Sequence, residues 1–114
     1  MSERRRDVDF LADILEAIDR ILAYTAKMTE EEFLSSKITQ DAVIRNIEVI
    51  GEGTKNISAT FRSKHAEIPW KDLAGVRDKL IHQYFGVNLE IVWEIIRHDL
   101  PQLKPQIEGL LSEL

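Results

Sequence analysis

Cysteine is missing from this chain, which excludes disulfide frameworks and thiolate metal sites and fits a reducing, cytosolic compartment. Also missing is any run approaching the roughly 18 consecutive apolar residues that a membrane-spanning helix needs. The N-terminus is basic through Arg4, Arg5 and Arg6, but Asp7, Asp9 and Asp13 follow at once. A signal peptide would need an unbroken apolar segment there. A soluble, cytoplasmic protein that does not enter membranes is therefore expected. Nor is there an excess of positive charge: 15 basic residues stand against 20 acidic ones, a net charge of −5. That argues against a binder that blankets phosphates with many Lys and Arg contacts. A local basic pocket within an acidic protein stays open. No segment shows convincing period-2 alternation, and there are no repeats or low-complexity tracts.

What is present is helical periodicity. With 114 residues, 44% of them hydrophobic, the chain can bury a core without staples, and one domain over residues 1–114 is expected. Leu11, Ile14, Leu15, Ile18 and Leu22 form one apolar stripe at helical spacing. Thr29 and Glu32 have the spacing of a capping box that opens a short helix through Phe33 and Leu34. A third helix is expected from about Thr39 to Phe61, because Val43, Ile47, Ile50, Thr54, Ile57 and Phe61 stay in phase. Gly51 and Gly53 interrupt it, each costing roughly 1 kcal/mol relative to Ala. Either the helix bends there or another backbone approaches closely; the unbroken stripe favours close approach.

Ile68-Pro69-Trp70 marks a boundary, since the residue before Pro is pushed out of the helical region. A fourth helix should run from about Trp70 to Tyr84, with Gly86 placed to stop it. Asn88 is the expected N-cap of a fifth helix bearing Leu89, Val92, Trp93 and Ile96. Pro101 and Pro105 should punctuate the chain before a last short helix with Ile107, Leu110 and Leu111. Short links between helices imply antiparallel neighbours, so the expected fold is all-α, an up-and-down bundle of about five helices.

The fourth helix breaks its own pattern. At about 100° per residue, Arg77 and Tyr84 fall within about 40° of the stripe made by Leu73, Val76 and Leu80. A buried guanidinium is costly alone, so Arg77 should have an acidic partner, a cleft or an anionic ligand. His82 lies on the other side, with Asp78 one turn before it, where a carboxylate can orient an imidazole. Arg77 and His82 are then about 140° apart on an ideal helix. A site using both needs a distorted helix end, a long reach by Arg77, or a second copy of the helix from a symmetry-related subunit; the last makes a homodimer attractive. Taken singly, each residue also has an ordinary reading. His82 can simply be exposed, Arg77 can snorkel, and Tyr84 can be a packing residue with a wet hydroxyl.

The chain resembles the HEPN superfamily, and within it the HepT-like toxins paired with minimal nucleotidyltransferase antitoxins. The resemblance runs from Asp41-Ala-Val-Ile-Arg45-Asn46 through Ile50-Gly-Glu52 and Ile68-Pro-Trp70 to Arg77–Tyr84. It continues in Phe85-Gly-Val87, Val92-Trp93 and Asp99-Leu-Pro101. The family signature R-x4-H-x-Y is met by Arg77, His82 and Tyr84; the polar residue after the motif arginine, often Asn, is here Asp78. The resemblance implies an all-helical homodimer with the motifs of both subunits lining an interfacial cleft. It further implies the toxin of a type VII toxin–antitoxin system, an endoribonuclease that needs no metal or cofactor. The antitoxin, a cognate nucleotidyltransferase, is implied to neutralise it by transferring AMP onto the motif tyrosine, Tyr84.

These residue types suit that chemistry. RNA carries its own nucleophile, the 2′-hydroxyl, so His82 can serve as general base or acid. Arg77 can bind the scissile phosphate and stabilise its developing charge. Asp78, by its spacing, can hold the His82 tautomer. The three histidines, His65, His82 and His98, show no HExxH or paired spacing. The alternative is a non-catalytic HEPN module that binds nucleotide or a partner, with Arg77 as anion anchor; a purely structural bundle ranks third. Gly51-Glu-Gly53-Thr-Lys55 lacks the phosphate-loop spacing, and the Asn56-Ile-Ser58 sequon is irrelevant to a cytosolic chain.

Overall fold

The computed structural model describes residues 5–78 and 88–114, and among these every regular element is helical. They are α1 (Asp7–Thr25), α2 (Glu30–Ser35), α3 (Lys37–Asn56), α4 (Ala59–Lys64) and α5 (Trp70–Ala74). Then come α6 (Leu89–Glu94), a π-helical segment (Ile95–Asp99) and α7 (Leu100–Ser112). This is the all-α, HEPN-like architecture expected. The expected motif residues His82 and Tyr84, and the end of the fourth helix with its stop at Gly86, lie outside the described residues.

α1 is the central element and packs chiefly against α3 and α7. Leu11, Ile14, Ile18 and Ile21 are fully buried on its inner face. The buried stripe therefore extends to Ile21, while Leu15 and Leu22 flank the core half-covered. α3 supplies Val43, Ile47 and Ile50, and α7 closes the core with Leu103, Ile107 and Leu110. Both α3 and α7 run antiparallel to α1. Asp7 at the start of α1 accepts from the Ser58 amide (2.8 Å) and hydroxyl (2.7 Å) just past the end of α3. At the other end, Arg97 donates to the carbonyls of Thr25 and Met28, placing a cation where the α1 dipole is negative. Arg97 also lies 4.3 Å over the Trp93 ring.

Two predicted boundaries form as read. Thr29 and Glu32 exchange both bonds of a capping box, at 3.0 and 3.2 Å, and Asn88 caps α6 by accepting from the Ile91 amide at 3.0 Å.

Three others differ. The helix expected to reach Phe61 ends at Asn56, because Asp7 captures Ser58, whose hydroxyl then caps the separate α4 by accepting from the Phe61 amide. The helix expected over 70–84 is interrupted after Ala74, where Gly75 donates its amide to the Lys71 carbonyl at 3.1 Å and the chain turns before residues 76–78 resume helical form. Finally, Pro101 and Pro105 do not break the last helix, which is continuous from Leu89 to Ser112. The wide turn immediately ahead, with the Leu100 amide bonded to the Ile95 carbonyl, gives the Pro101 ring room beside the carbonyl it would otherwise meet. Pro101 and Pro105 both lie on the exposed side of the helix, where a lost backbone bond costs least.

Candidate active site

α3 builds one wall of the site. Arg45, Glu48, Glu52 and Lys55 recur at helical spacing on its outer side, and all four line a cleft of about 530 Å³. The buried face of the same helix carries Val43, Ile47 and Ile50, so the polar row is the solvent side of an amphipathic helix. α1 supplies a second wall with Phe10 and Asp13. Arg5 lies against it, its guanidinium 4.7 Å from the Phe10 ring centre and 2.9 Å from the Asp13 carboxylate. Ala74, Arg77 and Asp78 complete the lining. The cleft thus holds four cations, Arg5, Arg45, Lys55 and Arg77, and four carboxylates, Asp13, Glu48, Glu52 and Asp78. Within an acidic protein it is locally balanced, not the net basic pocket that overall charge had left open.

Gly51 sets the position of Arg77. A Cβ at Gly51 would lie 3.6 Å from the carbonyl oxygens of Leu73 and Ala74, so the last turn of α5 rests directly on α3 there. One turn back along α3 is Glu48; three residues beyond Ala74 is Arg77. The two meet as an ion pair, Arg77 Nε to Glu48 Oε2, at 3.3 Å. The acidic partner and the cleft expected for Arg77 are both present. The expected burial is not: the Arg77 side chain is 53% exposed. Helical arithmetic placed it beside the apolar stripe; Leu73 and Val76 of that stripe do pack against the core, while Arg77 projects on the solvent side of it.

Asp78 lines the cleft beside Arg77. Its expected partner His82, and Tyr84, the expected target of modification, lie outside the described residues, so of the expected motif residues only Arg77 and Asp78 are placed. Among the described residues, no three His, Asp or Glu side chains gather as a metal ligand set. On the other side of α5 a second cleft of about 470 Å³, lined by Ile47, Ile50, Leu73, Val76, Ile91 and Ile95 among others, shares none of these residues. Sequence reading passed over Glu48, Lys55, Phe10 and Arg5. The available signal was the polar row on α3 in register with Gly51; of its members only Arg45 and Glu52 fell within stretches that carried the resemblance.

Residues 14–110 match the family described as ribonuclease HepT-like. The chain belongs to the HepT-like ribonuclease family. It is 48% identical over 107 residues to the "Probable ribonuclease HepT" of Thermococcus cleftensis, covering 94% of this chain and 97% of that one. It is 50% identical over 111 residues to a Methanocaldococcus jannaschii protein named "Gamma-glutamylcyclotransferase and putative RNase". That match covers 96% of this chain but only 50% of the relative, so the chain spans half the length of that protein. No solved structure matches the chain. In this HepT-like chain Arg77, the arginine expected to belong to the motif, stands on the wall of a charged cleft, paired with a carboxylate from α3.

Proposed function

We propose that this HepT-like chain is the toxin of a type VII toxin–antitoxin system, acting as a metal-independent RNA endonuclease through Arg77 and His82. The observation that carries the reading is the guanidinium of Arg77, held at the edge of an open cleft and accessible to a phosphate. Family membership and relatives named as ribonucleases support RNA as the substrate.

In this mechanism His82 takes the proton from the 2′-hydroxyl, whose oxygen attacks the adjacent phosphorus. The bond from phosphorus to the 5′-oxygen breaks, and a proton is delivered to that leaving oxygen. The products are a 2′,3′-cyclic phosphate and a 5′-hydroxyl end. Arg77 offsets the charge that builds on the phosphoryl oxygens, and Asp78 orients the His82 ring. Arg77 sits at the cleft rim, so a second subunit in a homodimer can close the site and add its own motif.

Inhibition follows from the same charge logic. A partner nucleotidyltransferase transfers AMP from ATP to the Tyr84 oxygen and releases pyrophosphate. The added phosphate brings negative charge near Arg77 and competes with RNA.

One co-expression experiment tests these steps. His82→Ala should abolish growth arrest and RNA cleavage, a loss of roughly 10²–10⁴-fold, while the helical circular dichroism spectrum is unchanged. An equally toxic His82→Ala protein removes the catalytic assignment. A wild-type chain that binds nucleotide but leaves RNA intact at high concentration replaces it with a non-catalytic binding module. Intact-mass measurement of toxin made with its nucleotidyltransferase should show one added adenylyl group, absent from Tyr84→Phe.

A further inference from the structure

We propose that Glu48 is the positioning residue that presents Arg77 to the RNA phosphate, an inference that rests on reading Arg77 as the phosphate-binding group. Three observations converge on it. Glu48 and Arg77 line the same cleft. Their contact is made through Arg77 Nε, 3.3 Å from Glu48 Oε2. And the seam that brings them together is fixed by backbone, the Leu73 and Ala74 carbonyls resting on Gly51.

The choice of nitrogen matters. A guanidinium offers five N–H donors in a planar fork. A contact at Nε leaves the edge formed by the two terminal nitrogens to a second partner, and among the described residues Arg77 makes no other ion pair. It is the edge that takes two phosphate oxygens at once. The carboxylate thus fixes the plane of the guanidinium and points its bidentate side away from α3. Without Glu48, a side chain this exposed samples many rotamers, and ordering it falls on the transition state. Glu52, one turn along the same wall, also offers a competing carboxylate in the wrong place.

Positioning and masking make opposite predictions. Glu48 carries a negative charge into a phosphate site, so removing it should leave ground-state RNA binding unchanged or tighter. If Glu48 positions, its loss should still slow the chemical step. The test uses the full-length chain, a labelled single-stranded RNA of mixed sequence, and four proteins: wild type, Glu48→Ala, Glu48→Gln and Arg77→Ala. Glu48→Ala should lower kcat roughly 10- to 100-fold, the scale of a misplaced catalytic group, with KM unchanged or lower and the melting temperature unmoved. Glu48→Gln retains an acceptor for Nε–H and should recover most of kcat.

A fully active Glu48→Ala beside an inactive Arg77→Ala overturns this inference alone, as does a Glu48→Gln protein faster than wild type, which would mean masking. An active Arg77→Ala overturns the phosphate reading beneath it. Nitrogen-15 NMR of the Arg77 Nε–H, identified by its loss in Arg77→Ala, decides the point without cleavage. The signal should be ordered in wild type and mobile in Glu48→Ala, and equal mobility in both overturns the pairing.

Discussion

Gly51 and Gly53 lie two residues apart on α3 and face different neighbours. A Cβ at Gly53 would sit 3.0 Å from Cγ1 of Ile14 and 3.5 Å from the Phe10 carbonyl, inside the main core, where Ile14 is fully buried. Among the described residues a Cβ at Gly51 would meet nothing nearer than 3.6 Å, at the seam with α5, where Leu73 and Val76 are only half-buried. Both glycines admit a neighbouring element, which is the close approach favoured over a bend, and α3 runs through both without interruption. The first seam is held by volume, with side chains filling the gap. The second is two backbones in ordinary contact with a charged rim, Glu48 against Arg77, and the cleft opens along it. A site that must admit a phosphate cannot be sealed by packing, so its geometry depends on polar contacts at the edge.

Removing volume from the first seam should have the largest effect on stability. Ile14→Ala deletes a fully buried side chain and should cost about 2–5 kcal/mol, read from urea unfolding; a smaller loss would mean that α1 and α3 collapse onto the gap. Next come the glycines themselves. Gly53→Val overpacks the seam and should destabilise by about 1–3 kcal/mol. Gly51→Ala has room for its methyl group and gains helix propensity, so it should stabilise by up to about 1 kcal/mol. If both variants lower the midpoint, the contrast between the seams disappears.

The smallest effect belongs to the rim between α1 and α7. The bond from Lys104 to Asp19, 2.9 Å long, raises the lysine above its ordinary value, first through that hydrogen bond and then through the carboxylate charge. A raised lysine stabilises the folded chain fully below its unfolded value near 10.5, and the contribution is lost as pH rises through the higher folded value. Lys104→Met should therefore melt slightly lower than wild type at neutral pH. The two curves should converge as pH rises through that higher folded value, and at high salt as well, since an exposed pair is screened.

The site was legible in the sequence only in part. Arg77 stood out because an arginine on an apolar stripe demands a partner. The stripe itself holds, with Leu73 and Val76 both packed against the core, but Arg77 lies off its edge and the demand was met at the surface. The partner, Glu48, lies 29 positions earlier in the chain, and nothing in its local spacing distinguishes it from the Arg45, Glu52 and Lys55 around it. Likewise, the break after Asn56 was hidden because the apolar phase does continue through Ile57 and Phe61; it takes Asp7, 51 residues away from Ser58, to stop the helix.

What the sequence determined by itself is whatever closes within a turn or two of helix: the stripes of α1 and α3, the Thr29–Glu32 box, the Asn88 cap, the start at Trp70. The family resemblance was equally local, carried by short stretches read in order. Those features depend on residues three or four apart, whose meeting the helix guarantees. Tertiary structure alone decided where α3 stops, how Pro101 and Pro105 are carried within one continuous helix, and which carboxylate faces Arg77. Each of these depends on groups brought together by packing, or on a backbone adjustment that packing makes tolerable, and helical periodicity carries no record of either.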